Sequence, residues 1–324
     1  MKTAIVTGGF GFAGANLVEE LISSGYFVYA IGRPGSSHNE RLSDLLGIKR
    51  IFLEMEDYDK LPEFIDAPNV DFFFHLAWGG GRNDSTEQLK NVAGALKALN
   101  AAYSINPSIR FIATGSQAEY GVVSFETVIT EETPLMPITA YGLAKVSAYN
   151  KLIQKSKDLG CDFIWARLFS LIGKYEPSGR LFPDLVNSLK EGKEVSLSSC
   201  TQYWDYLDAR DAARALIALA ENGRSGEAYN IASATPRPLK EYVEEIADII
   251  DQHKLNSDSD TKEFSDLADG KQCGLHVHSS TFVTYGPPPS PFVSLRPSIT
   301  KLVSDTSWQP TITISETIKQ NYMI

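Results

Sequence analysis

The sequence predicts a doubly wound, parallel α/β sheet. Three observations carry that expectation. Apolar runs of strand length recur through the first half of the chain. Stretches with apolar residues three and four apart alternate with them. The first run ends in a glycine-rich turn that opens directly into a helical pattern. Parallel strands covered by helices on both faces must be apolar nearly throughout, and these runs are.

In chain order, Thr3–Thr7 (TAIVT), Phe27–Ile31 (FVYAI), Arg50–Leu53, Val70–Leu76 (VDFFFHL), Arg110–Thr114 (RFIAT) and Phe163–Phe169 (FIWARLF) read as buried strands. Ala13–Ser24, Ser85–Tyr103 and Tyr141–Leu159 read as the helices between them. Past about residue 170 the rhythm breaks. Helices are expected at Arg180–Lys190, Ala209–Glu221 and Leu239–Gln252, with a short strand at Val195–Leu197. Asn256–Asp269, rich in Ser and Asp, reads as an exposed or mobile loop. Gly286–Pro291 (GPPPSP) must be an extended connector, and a last helix pair is expected near Ser298–Ser304 and Ser315–Gln320. Residues 1–170 would form the sheet domain, rejoined around 200–235. Residues 171–324 would form a smaller part over the carboxyl ends of the strands, where open α/β folds bind ligands.

Composition narrows the function. With 30 Lys and Arg against 40 Asp and Glu, the 324-residue chain carries a net charge of -10, which argues against a nucleic-acid partner. No apolar run approaches the roughly 20 residues of a membrane span. Cys161, Cys200 and Cys273 are widely spaced and odd in number, which excludes a disulfide scaffold and a cysteine zinc site. A strand pattern beginning at Lys2 leaves no room for a secretion leader, so a reduced, cytoplasmic setting is expected.

The turn Thr7-Gly-Gly-Phe-Gly-Phe-Ala-Gly14 satisfies G-x-G-x-x-G through Gly9, Gly11 and Gly14, and G-x-x-G-x-x-G through Gly8, Gly11 and Gly14. Such glycines make a tight turn, admit a pyrophosphate against the backbone and let helix and strand pack closely. The helix N-terminus behind them offers free N–H groups to the phosphates. A dinucleotide cofactor follows. The ribose-reading position, where NAD binders carry an acid, is here Ala30-Ile-Gly-Arg33 with two serines beyond. Arg33 offers a fork of donors to a 2′-phosphate, which favours NADP over NAD; the plainer alternative is a solvated surface arginine.

Tyr141 and Lys145 lie four residues apart in a helical pattern and so share a face. An ammonium beside a phenol favours the phenolate and brings its pKa toward working range. Ser116, just past the strand RFIAT, places a hydroxyl at a strand's carboxyl end, where it can orient a carbonyl or carbinol against Tyr141. Together with the glycine turn, these three residues point to proton-coupled hydride chemistry.

At this point the sequence resembles the extended short-chain dehydrogenase/reductase family of nucleotide-sugar epimerases, dehydratases and reductases. The resemblance runs through TGGFGFAG, HLAW at His75–Trp78, NVAG at Asn91–Gly94, TGSQAEYG at Thr114–Gly121, YGLAK at Tyr141–Lys145, ARLFSLIG at Ala166–Gly173 and the C-terminal LRPSITKLVSDTSWQP. It implies a Rossmann-type fold and a catalytic triad of Ser116, Tyr141 and Lys145, with Tyr141 and Lys145 also touching the cofactor. It further implies cofactor contacts at Gly8, Gly11, Phe12, Gly14, Arg33, Glu54, Met55, Leu76, Ala77, Trp78, Phe169 and Leu171, a nucleotide-sugar substrate, and a homodimer through the two long helices.

Departures from the family pattern sharpen the expectation. The Asp-Glu pair that 4,6-dehydratases carry after the catalytic hydroxyl is here Gln117-Ala118, and Glu119, one residue on, would point to the other face of an extended strand. Dehydration is thereby disfavoured. Ser170 stands where the family has asparagine, and Trp204 where it has an arginine before Asp205. Gln117, Ser170 and Trp204, with Ser116, are the expected substrate contacts, and Arg296 or Arg180 would supply charge for a diphosphate. No metal site is expected: His276 and His278 lie two apart without a supporting carboxylate, His75 reads as a satisfied core histidine, and Trp308 as a packing anchor. The function expected is NADPH-dependent reduction of a nucleotide-linked 4-keto-(6-deoxy) sugar, as in CDP-abequose synthase-like reductases. The alternative is an NAD-dependent 4-epimerase of the UDP-glucose type. A nucleotide sensor without turnover, and a reductase of other carbonyls such as flavonoids or steroids, are the readings from other classes.

Overall fold

The computed structural model describes residues 1–67, 69–262 and 278–323, with backbone alone for 257–262. Seven parallel strands form its central sheet: β1 (Thr3–Thr7), β2 (Phe27–Gly32), β3 (Ile48–Phe52), β4 (Phe72–His75), β5 (Arg110–Ser116), β6 (Asp162–Leu168) and, after four short strands, β11 (Ala228–Ile231). The spatial order is β11-β6-β5-β4-β1-β2-β3. Every neighbouring pair is parallel. This is the doubly wound fold that the alternating pattern predicts. The order reverses between β1 and β4, so the first crossovers leave in opposite directions there and open a crevice at the carboxyl ends.

The central strands are buried almost throughout, and successive side chains enter opposite cores. On β1, Ala4 and Val6 join the core under α1 (Phe12–Ser23) and α5 (Ala209–Asn222). Ile5 faces the opposite core, formed with α2 (Ser85–Ile105) and α3 (Ala140–Leu159). A third cluster holds the smaller part together: Phe182, Leu185 and Leu189 of α4 (Leu181–Lys190) pack with Tyr242, Ile246 and Ile250 of α6 (Leu239–Lys262) and Ile318 of α8 (Ile314–Asn321). The remaining short strands β7 (Ser170–Ile172), β8 (Val195–Leu197), β9 (Tyr203–Trp204), β10 (Tyr206–Asp208), β12 (Arg237–Pro238) and β13 (Val283–Tyr285) pair two by two. Helix α7 (Thr300–Thr306) precedes Trp308, which is packed in the first core.

Three expectations need correction. Helix α6 runs on to Lys262, so the polar stretch from Asn256 begins as helix; a helix already nucleated continues through weak formers at low cost. The rest of that stretch, 263–269, lies outside the described residues, as do Cys273 and His276. Strand β11 was not legible because Asn230 interrupts its apolar run. That residue is nonetheless buried and satisfied, its amide oxygen accepting from the Tyr120 hydroxyl at 2.6 Å and its backbone N–H donating to Glu131 at 2.8 Å. His75 is only half satisfied: Nδ1 meets Thr7 Oγ1 at 2.8 Å, whereas Nε2 has no hydrogen-bond partner. Burial, with Lys145 nearby, drives its pKa down to about 3, so it is a neutral imidazole.

The turn after β5 is fixed by a buried ion pair. Arg167 Nε on β6 meets Glu119 Oε2 at 2.8 Å, the two side chains being 2% and 0% exposed. Glu119 also accepts from the Ser116 backbone N–H at 2.7 Å and from the Trp165 indole. Removing one partner of such a pair strands the other charge in the core. Glu119→Ala is therefore expected to cost about 3–5 kcal/mol of folding stability, read by urea titration; a loss under 1 kcal/mol would show the pair to be dispensable.

Candidate active site

The glycine turn is built by close approach. Gly8 sits at φ +70, and a β-carbon on Gly14 would overlap the Gly8 carbonyl oxygen, so strand and helix meet at a distance only glycine permits. Helix α1 then begins at Phe12 with no side-chain cap and no acid in its first turn. Its N–H groups and positive dipole end are left to an anion.

Two cavities flank this turn and share Gly8, Gly11, Ala77 and Trp78 along their walls, forming one cleft over the carboxyl ends of β1 and β4. The cavity of about 510 Å³ is bordered by Arg33, Ser36, His38, Asn39, Glu54 and Met55. The other, about 710 Å³, is bordered by Phe12, Gly14, Leu76, Ser116, Gln117, Tyr141, Lys145, Phe169, Ser170, Leu171, Arg180 and Trp204. An uncapped helix end, a backbone cradle and an elongated two-chambered cleft fit an extended dinucleotide. The cofactor residues expected from sequence all border it. Arg33 is exposed at the end of β2, and no acid stands beside it on that strand.

The three expected catalytic residues converge in the larger chamber. Ser116 ends β5 and caps a 3-10 turn, its Oγ accepting from the Ala118 N–H at 3.2 Å. Tyr141 lies in the first turn of α3, which Thr139 caps at 3.1 Å through the Gly142 N–H. A β-carbon on Gly142 would collide with the Ala118 carbonyl, so the helix start is pressed onto the turn that follows Ser116. One helical turn on, Lys145 Nζ donates to the Thr114 carbonyl at 2.7 Å and lies 3.6 Å from the centre of the Trp78 ring.

The electrostatics differ from the sequence expectation in one respect. Burial raises the Tyr141 pKa; the neighbouring Ser116 hydroxyl and the charges of Arg82 and Arg180 pull it back. Lys145 is 5.7 Å from the Tyr141 ring, yet burial pushes its own pKa down to about 7, opposed by the Glu119 carboxylate. The phenol is tuned chiefly by burial, which leaves its pKa above the ordinary value; the serine and the arginines pull against that rise, and the lysine is not among the groups that lower it. Arg82 was not anticipated: its carbonyl accepts from the Tyr141 N–H at 2.9 Å and its guanidinium lies 5.1 Å from the phenol ring.

At the opposite wall, Trp204 Nε1 donates to Ser170 Oγ at 2.8 Å and Gln117 Nε2 donates to the same oxygen at 3.2 Å. The three departures from the family pattern thus form one network. Glu119 is held away from the cavity by Arg167, but not as expected: it lies in the 3-10 turn, not on an extended strand. Arg180 lies over the Phe12 ring at 5.6 Å. Arg296 borders neither of these two chambers and lies over Tyr203 at 5.1 Å. His278 pairs with Asp251 at 3.1 Å and Asp248 at 3.3 Å. Among the described residues no group of three or more ligating side chains could hold a metal, and no helix is long and apolar enough to cross a membrane.

The pattern of the NAD dependent epimerase/dehydratase family matches residues 4–232. The chain belongs to this family. It is an enzyme of the extended short-chain dehydrogenase/reductase type. A dTDP-6-deoxy-L-talose 4-dehydrogenase (NAD(+)) of Aggregatibacter actinomycetemcomitans is 26% identical over 78% of this chain and 90% of its own. The structure of dTDP-glucose 4,6-dehydratase from Bacillus anthracis in complex with NAD superposes with a TM-score of 0.81 at 22% identity, covering 100% of this chain and 96% of that one. UDP-glucose 4-epimerase with UDP-glucose from Thermotoga maritima gives 0.79 at 22% identity, over 99% and 97%. Family members therefore differ in reaction while sharing the scaffold seen here.

Lys145 carries a pH signature. Its folded pKa lies below the unfolded value, so between about 7 and 10.5 the unfolded chain binds the extra proton, and stability rises with pH over that window. Lys145→Met should flatten this rise, measured as the difference between urea unfolding free energies at pH 7 and pH 9.5. An unchanged slope would mean that the ammonium is not desolvated.

Proposed function

We propose that this enzyme reduces a nucleotide-linked 4-keto sugar with NADPH. The observation that carries the reading is the turn after Ser116. Gln117 borders the cavity from it, Ala118 carries no ionisable group, and Glu119 is locked to Arg167, so no carboxylate stands on that turn to drive elimination of water. Carbonyl reduction needs only one proton donor and one oxygen-orienting group, and Tyr141 and Ser116 border the same chamber, the serine close enough to lower the phenol's pKa.

The glycine turn with Phe12, the α1 N-terminus and Leu76–Trp78 would hold the cofactor along the cleft, with Glu54 and Met55 near the adenine end and Phe169 and Leu171 beside the nicotinamide. Bound there, NADPH supplies hydride to the carbonyl carbon. Ser116 donates to the carbonyl oxygen and Tyr141 delivers the proton to it. Lys145, held by the Thr114 carbonyl and the Trp78 ring 5.7 Å from the phenol ring, would in its protonated form stabilise the phenolate as that proton leaves. Gln117, Ser170 and Trp204 present a polar and aromatic wall to the sugar, and Arg180 a charge to the diphosphate. Preference for NADPH is supported by Arg33, which borders the smaller chamber with Ser36 and His38; burial, then the charges of Arg41 and Arg33, lowers the His38 pKa, so the cationic donor there is the arginine.

Consumption of added NADPH with dTDP-4-keto-6-deoxyglucose supports this reading; retained NAD with redox-neutral interconversion of UDP-glucose and UDP-galactose would replace it by the 4-epimerase. Tyr141→Phe is expected to lower kcat at least about 100-fold while leaving NADPH affinity, followed by fluorescence titration, within about twofold. Arg33→Glu should move the ratio of kcat/KM for NADPH over NADH down by at least about tenfold; an unmoved ratio would leave Arg33 a surface residue.

A further inference from the structure

Glu176, in the loop between β7 and α4, had no role in the sequence reading, yet it borders the same 710 Å³ chamber as Ser116 and Tyr141. It is the one carboxylate among the described residues bordering that chamber, whose other charged side chains are Arg82, Lys145 and Arg180. The Tyr322 hydroxyl, just past α8, donates to it, and that same oxygen accepts from the Gly173 N–H at 2.7 Å. A carboxylate has about four lone-pair positions, so this clamp fixes its direction and leaves acceptor capacity over. Its surroundings are aromatic: Phe182 and Tyr206 pack edge to face at 4.6 Å, and Trp204 borders the chamber with them.

An acceptor-only group set among ring faces suits a polyhydroxylated ring, which offers O–H donors at its edge and C–H surfaces to aromatics. It does not suit a diphosphate, which it would repel; Arg180, four residues on, serves that. We infer that Glu176 is a specificity-determining residue for the sugar unit, its carboxylate accepting hydrogen bonds from the saccharide hydroxyls while Tyr322 positions it. The inference rests on the sugar-nucleotide reading above. The groups facing the carboxyl are Arg180 and Asp184 at the start of α4, Tyr206 of β10, Tyr322 and the Gly173 N–H. Burial pushes the Glu176 pKa up to about 7, with Tyr322 and Arg180 holding it down. Acceptor strength at this position therefore falls as pH drops below neutrality.

The test is calorimetric binding of UDP-glucose and dTDP-glucose, and of free UDP and dTDP, to the NADPH-supplied protein between pH 6 and 8. Glu176→Gln should weaken both sugar nucleotides about ten- to a hundredfold and leave the free diphosphates within about twofold. Wild-type affinity for the sugar nucleotides should rise roughly tenfold from pH 6 to 8, and Glu176→Gln should flatten that rise. Tyr322→Phe should keep the rise but shift its midpoint upward, an effect that damaged packing alone would not produce. Equal binding of UDP-glucose and dTDP-glucose by wild type and Glu176→Gln with the same pH profile overturns the inference, as does an equal loss of free UDP. If wild type binds free UDP but neither sugar nucleotide, the sugar-nucleotide reading itself fails and this inference with it.

Discussion

The buried contact between Glu119 and Arg167 is the constraint on which the site depends. It joins the end of β5 to β6 inside the molecule and so dictates the path of the three residues that follow Ser116. Helix α3 begins against that turn, and its first residues can approach only because Gly142 has no side chain. Tyr141 and Lys145 are thus aimed by a chain of contacts that starts with a carboxylate no substrate touches. A charge pair held dry is weak evidence of stability but strong evidence of a fixed geometry, because neither partner can move without leaving the other unpaired.

The same low-dielectric interior governs the lysine. Nothing in the described structure forms a salt bridge with Lys145; a backbone carbonyl and an indole face take the place of a counterion. Such a group is held near the point where it loses its charge. Burial is unfavourable to folding here; in the proposed reduction it is useful, since a nearby cation in a dry site acts on a developing phenolate far more strongly than it would in water.

Much of this was legible in the sequence, for identifiable reasons. The sheet could be read because its strands are apolar on both faces, and the glycine turn because backbone proximity leaves a composition signature. Ser116, Tyr141 and Lys145 could be read because each occupies a fixed place on a regular element. Strand β11 was missed since Asn230 makes its polar contacts with residues a hundred positions away. Arg82, Glu176 and Tyr206 were missed for a like reason: they sit in loops or on a three-residue strand of the aperiodic second half, or just past β4, and reach the cleft only through tertiary folding. Glu119 was placed off the cavity by alternation, a rule that does not apply once the chain leaves the strand for a tight turn.

Trp78 has a further consequence. Its indole borders both chambers, carries the Lys145 ammonium over its face and meets the Tyr141 ring edge-on at 6.1 Å. An excited indole is quenched by neighbouring protonated amines and responds to the polarity of whatever replaces water beside it. The cleft thus contains its own optical probe, one whose emission responds to occupancy and protonation beside Lys145 and Tyr141, without any label.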